Sequence, residues 1–249
     1  MTRARAIAIA GAILFWATLG VAVGMTDLAL ADAVLLTVLL VAVPAMSTAQ
    51  LPLLASARIQ RLPAYWSSIT TLWLMGTACW FVGTRDGGAA ALGLVALPLP
   101  TFVGWTVGLT VAALAIIFAF RAVSGWFGIA DSPVLRQLLP STPRERSAFA
   151  VLSVAAGTGE ELAYRGYVIP VLATLTGVGP AAIVSTVVFG IMHGYQGMMG
   201  IIRTGLMGAV LAWGFLASGS LWPAILAHTA IDLLAGLVLG DRLLTDPGE

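Results

Sequence analysis

The chain alternates long apolar runs with short polar breaks, and the runs approach the ~20 residues needed to cross a hydrocarbon core. They fall at about 6–25, 28–55, 64–83, 102–120, 147–169, 179–195, 199–217 and 221–240. The first exceeds the about 7–15 apolar residues of a cleaved signal peptide, so it predicts a retained helix. Pro44 predicts a kink in the second run. Pro98 and Pro100 predict a re-entrant or surface piece ahead of the fourth. The pattern predicts an all-α, polytopic membrane protein with about eight transmembrane helices. Residues 1–140 supply the N-terminal helices and residues 141–249 the C-terminal helices of one membrane domain. Gly104/Gly108 and Gly236/Gly240 have the small-xxx-small spacing of packed spans.

Composition agrees. The chain is 59% hydrophobic and 9% charged, with mean hydropathy +0.99, whereas a soluble domain carries about a quarter charged residues. All 12 basic residues are arginines, which fits a GC-rich bacterial genome. No basic stripe with interleaved aromatics is present, so nucleic acid is excluded as a partner. A single cysteine, Cys79, excludes a disulfide framework within the chain. In an eight-helix zigzag, Arg3/Arg5, Arg58/Arg61, the polar stretch at about 121–146, Arg203 and Arg242 fall on one side. The positive-inside rule then predicts a multi-pass protein of the cell (inner) membrane with both termini cytoplasmic.

Against this background a few polar residues stand out. "TPRE", Thr142 to Glu145, has capping-box spacing with Pro143 at the first helical position. A helix starting there carries Glu160 ~25 Å along its axis, into the membrane. Of the chain's four glutamates, two are the adjacent Glu160 and Glu161. Both histidines, His193 and His228, fall in late apolar runs, and Asp232 follows His228 by four residues. Each charge at bilayer depth costs at least ~2.5 kcal/mol, so such residues face a protein interior or a wet cavity. Glu161 and Arg165 are spaced i, i+4, the order that favours an ion pair. His228 and Asp232 also share a face, where a carboxylate can hold an imidazole in one tautomer. Phe189 and His193 share another, and the ring is a candidate wall. Glu160 has no basic residue one turn away.

One unpaired carboxylate, two histidines, an ion pair and an aspartate suit activation of water against a carbonyl. Glu160 would accept the proton, one histidine would orient the water, and another would stabilise the oxyanion. The same set also suits a metal, because one glutamate and two histidines leave one position open on catalytic zinc. H-E-x-x-H is absent and the histidines are far apart in sequence, so spacing does not support zinc.

"EELAYR" fits EExxxR, "FGIMH" fits FxxxH, and "HTAID" fits the HxxxN/D position of a known family. On these motifs, over about residues 145–240, the chain resembles the CPBP (Abi) family. That family holds the CAAX proteases and bacteriocin-processing enzymes, relatives of the type II CAAX prenyl endopeptidase. The resemblance implies an intramembrane protease whose chamber opens toward the cytoplasmic leaflet, making the C-terminal helices the catalytic ones. It implies that Glu160 and His193 activate water, that His228 and Asp232 occupy the oxyanion-stabilising positions, and that Glu161 and Arg165 support them. The family is labelled metalloprotease, yet its water is also argued to be activated without metal. Asp232 departs from the asparagine of the prenyl proteases. An ionised aspartate accepts hydrogen bonds only, so it cannot donate to an oxyanion and is left to orient His228 or to carry a proton of its own.

Three functions compete. An endopeptidase acting near the cytoplasmic membrane surface takes a membrane-associated peptide or protein, with the lipid bilayer as its other partner. A non-catalytic bacteriocin-immunity or scaffold member keeps the fold without needing Glu160, His193 and His228 together. A proton-coupled transporter needs ionisable groups along a path, and the first four runs hold almost none.

Overall fold

The computed structural model describes residues 3–240, and Arg242 lies outside them. Twelve α-helices follow in order among these residues. They are α1 (Arg3–Met25), α2 (Leu30–Thr37), α3 (Val43–Ser56), α4 (Arg61–Gly83), α5 (Gly88–Ala91) and α6 (Leu99–Phe127). Then come α7 (Pro133–Leu138), α8 (Pro143–Glu161), α9 (Ile169–Thr176), α10 (Val178–Met192), α11 (Gly197–Ser218) and α12 (Trp222–Leu233). No strand occurs among the described residues.

Three π-helical turns occur among the described residues, one of them, Leu234–Leu239, continuing α12. A π-helical turn, Val38–Ala42, joins α2 to α3, and another, Leu162–Val168, joins α8 to α9. Pro44 follows the first and Pro170 the second. A proline has no N–H and its ring crowds the carbonyl four residues back, so the turn before it widens. The kink expected at Pro44 is therefore this widened turn just ahead of it.

Five helices are long and apolar enough to span a membrane: Ala4–Met25, Leu30–Leu54, Leu99–Phe127, Gly194–Ser218 and Trp222–Leu239. The expected count of about eight is not reached on that measure. The apolar α10 has only 15 residues. Ser67, Ser68, Thr70 and Thr71 dilute α4, while Glu160, Glu161, Gly157 and Gly159 dilute α8. The piece expected around Pro98 and Pro100 is the short α5 followed by a non-helical connector into α6. Ser220 Oγ holds it by donating to the Val95 carbonyl at 2.6 Å. Lipid-compatible side chains cover the outside, among them the exposed Trp16, Phe81 and Phe127.

The rod α8–π–α9 forms the axis. Residues 161–169 are all buried, and Tyr164 and Tyr167 pack with Leu39, Cys79, Phe189 and Phe215. The glycines of "GTG" explain how α8 gets so close to its neighbours. A Cβ at Gly157 would collide with Thr229 Oγ1 and meet the Ile225 carbonyl at 2.8 Å on α12. One at Gly159 would meet the Leu72 carbonyl at 2.5 Å on α4. Neither backbone can yield without separating the helices. Gly159→Ala is expected to destabilise the fold by ~1–3 kcal/mol, read as an earlier unfolding midpoint in a denaturing-detergent titration.

The other small-residue pairs do different work from that expected. A Cβ at Gly104 or Gly108 meets nothing within 4 Å, and both line an outward-facing groove beside Trp105 and Trp213. Gly236 does pack closely, against the Phe149 ring, whereas Gly240 meets nothing.

The arginine-bearing connections gather at one end of the bundle. Arg61 Nε donates to the Gln137 carbonyl at 2.8 Å, and Tyr65 OH donates to the Leu138 carbonyl at 2.5 Å. Arg203 reaches Asp131, and Arg146 Nη2 donates to the Leu237 carbonyl at 2.8 Å. At the opposite end Arg85 pairs with Asp32, which also accepts from Tyr167 OH at 2.9 Å.

Candidate active site

The site is built on α8, the π turn after it, α10 and α12. The expected capping box starts α8. Thr142 Oγ1 accepts from the Glu145 N–H at 3.2 Å, and Glu145 Oε2 accepts from the Thr142 N–H at 3.1 Å. Hydrogen bonds from Ser141 and Thr142 hold the Glu145 carboxyl down at about 2, with Arg61 adding to them. From that anchor, nearly five helical turns carry Glu160 and Glu161 to the bundle centre.

Glu161 and Arg165 have no solvent exposure, and Arg165 Nη1 donates to Glu161 Oε1 at 2.8 Å. The i, i+4 pair survives although Arg165 lies in the π turn. Arg165 Nη2 donates to the Gly208 carbonyl at 3.1 Å, and the guanidinium carbon lies 4.1 Å from the Phe189 ring centroid. A Cβ at Gly208 would lie 2.8 Å from Arg165 Nη2, so a glycine is needed there.

The same Glu161 oxygen takes a second hydrogen bond, from His228 Nδ1 at 2.8 Å. A carboxylate in an ion pair only accepts, so Nδ1 carries a proton. His228 Nε2 then faces two other carboxylates, Glu160 Oε2 at 3.7 Å and Asp232 Oδ2 at 3.8 Å. Asp232 makes no hydrogen bond to His228 in this geometry. On α12 the i, i+4 spacing puts Asp232 at the Nε2 end of the ring, beyond hydrogen-bond length, while the Nδ1 end faces α8. Glu161 does the orienting.

Glu160 keeps its side chain 15% exposed, and its buried Oε2 accepts no hydrogen bond from the described residues. Such an oxygen in an interior needs a partner, and a water or substrate group between Glu160 and His228 supplies one.

His193 lies at the end of α10 rather than within it, followed by the 3₁₀ turn Gly194–Gln196. Its Nδ1 is 2.8 Å from the Phe189 carbonyl oxygen. Since a carbonyl only accepts, Nδ1 is protonated and Nε2 is the available nitrogen. Phe189 is the expected wall, with ring centroids 4.8 Å from His193 and 6.0 Å from His228. His193 is also within electrostatic reach of His228 and Asp232. The structure thus brings Glu160, Glu161, Arg165, His228 and Asp232 into contact and sets His193 beside them across Phe189.

Sequence reasoning missed the Gly208 carbonyl and Ser185. Ser185 Oγ on α10, buried, donates to the Tyr164 carbonyl at 2.6 Å and ties the π turn in place. Pro170 was the available signal for that turn. Gly208 had none, because a backbone acceptor leaves no mark in the sequence.

Among the described residues no three His, Cys, Asp or Glu side chains form a group that would hold a metal ion.

The comparisons with known proteins bear on the same helices. Residues 143–234, well under half of the chain, match the family model described as type II CAAX prenyl endopeptidase Rce1-like. Neither the curated proteins nor the solved structures gave a match. The matched segment begins at the Pro143 start of α8 and runs past Asp232, so it holds every residue of the cluster above. Over this segment the chain is similar to the Rce1-like type II CAAX prenyl endopeptidases, the group whose family model it matches.

Proposed function

We propose that the chain is an intramembrane endopeptidase that hydrolyses a peptide bond of a membrane-associated peptide or protein near the cytoplasmic membrane surface. The observation that carries this reading is the shared Glu161 oxygen. It holds Arg165 and His228 Nδ1 together and leaves His228 Nε2 turned toward the unpaired Glu160 at 3.7 Å.

In this mechanism a water bound between Glu160 Oε2 and His193 Nε2 gives its proton to Glu160 as its oxygen attacks the peptide carbonyl. His228, as imidazolium with Nδ1 on Glu161, donates from Nε2 to the oxyanion. The C–N bond then breaks, and Glu160 passes its proton to the leaving amine. Asp232, 3.8 Å from Nε2, adds negative charge that favours the imidazolium form of His228 and does not donate to the oxyanion. Topologically, we take α4, the α8–α9 rod and α10 as further crossings, giving eight, with both termini cytoplasmic.

The test uses wild type and Glu160→Ala in detergent with a panel of membrane-anchored and prenylated peptides, the products mapped by mass. Internal cleavage by wild type alone supports the proposal. Identical products, or binding without cleavage in both, refute it and favour the scaffold reading.

A further inference from the structure

We infer that Arg203 is a specificity-determining residue that takes a carboxylate of the bound peptide, and that Asp131 occupies its place in the free chain. The inference rests on the peptidase reading above. Arg203 lies on α11, inside an apolar helix, with its side chain only 14% exposed. A cation there needs a counter-charge. Arg165 has a close one, and its guanidinium is held from three directions. Arg203 is held differently. Its Nη1 is 3.8 Å from Asp131 Oδ1, well outside the about 2.7–2.9 Å of a charge-assisted hydrogen bond. Its Nη2 donates to a neutral group, Gln196 Oε1, at 2.9 Å. The guanidinium is thus aimed by Gln196 but loosely neutralised.

Its place relative to the cluster follows from Tyr195. Gln196 Nε2 donates to Tyr195 OH at 3.1 Å, and the Tyr195 ring is 5.9 Å from that of His193. Gln196 thus links Arg203 to Tyr195, whose ring neighbours His193.

Asp131 belongs to a non-helical connector between α6 and α7. Gly128, at φ +63°, ends α6 in the left-handed region that favours glycine and turns the chain toward α7. An incoming carboxylate replaces like with like, and the planar guanidinium fork accommodates it in two-pronged fashion.

The test is binding to the full-length chain carrying Glu160→Gln, so that no probe is cleaved. Three fluorescent peptides share one apolar sequence and end in a free carboxylate, an amide, or an aspartate followed by an amide. Anisotropy in detergent gives Kd. The free acid is expected to bind at least ~10-fold more tightly than the plain amide. Adding Arg203→Gln should erase that difference and leave the amide's Kd unchanged. Arg203→Lys, which keeps the charge but not the fork, should retain part of it. Asp131→Asn should tighten binding of the acid alone. If the aspartate peptide matches the free acid, the carboxylate recognised is a side chain or a terminus; if it matches the amide, it is the terminus only. Equal binding of acid and amide, no binding of either, or a preference that survives Arg203→Gln would overturn the inference. Hydrolysis of the amide peptide by wild type, lost in Glu160→Gln, speaks to the peptidase reading independently.

Discussion

Glu160→Gln should lower the rate of peptide hydrolysis by roughly 10²–10⁴-fold while leaving the fold intact. The substitution keeps size and shape and removes only the ability to take a proton. Glu160 makes no close hydrogen bond that the fold depends on, since its nearest partner, His228 Nε2, is 3.7 Å away. The thermal unfolding midpoint should therefore stay within a few degrees of wild type, and KM should change less than kcat. A glutamine enzyme that cleaves at the wild-type rate would remove Glu160 from the reaction. One that fails to fold would show that the residue supports the structure.

Glu161→Leu is expected to be the most destabilising change, by about 3–5 kcal/mol. Arg165 is fully buried, and Glu161 is its ion-pair partner at 2.8 Å. Removing the glutamate leaves a charge with nowhere to be solvated. The apolar double variant Glu161→Leu, Arg165→Met should recover most of the lost stability, because replacing a whole buried pair with well-packed apolar groups is often neutral. Activity should not recover with it, since His228 Nδ1 has lost the acceptor that turns Nε2 toward Glu160. Denaturing-detergent unfolding and peptide cleavage, measured on the same three proteins, separate the two effects. Recovery of both together would make Glu161 purely structural.

The way these residues meet shows what was legible beforehand. The capping box at Thr142 and the Glu161–Arg165 pair depend on contacts within a turn, and spacing alone revealed them. The glutamates and histidines were conspicuous because apolar runs make any charge expensive. Which carboxylate faces which ring nitrogen was not legible. It depends on how α12 lies against α8, fixed by the clearance at Gly157. The same limit applied to the spans. Hydropathy separates an apolar helix from a loop, but it cannot tell whether the polar, glycine-marked α8–α9 rod is central or peripheral. The rod's complete burial through residues 161–169 is a tertiary fact. The motif match and the packed cluster coincide on one segment, whereas the first helices carry no comparable signal.

The most direct measurement is cleavage of a membrane-anchored peptide in ¹⁸O-labelled water by protein reconstituted in vesicles, with wild type and Glu160→Gln side by side. Water activated by Glu160 predicts one solvent oxygen in the new carboxylate from wild type and almost no product from the variant. Equal product from both, or product free of solvent oxygen, would contradict it.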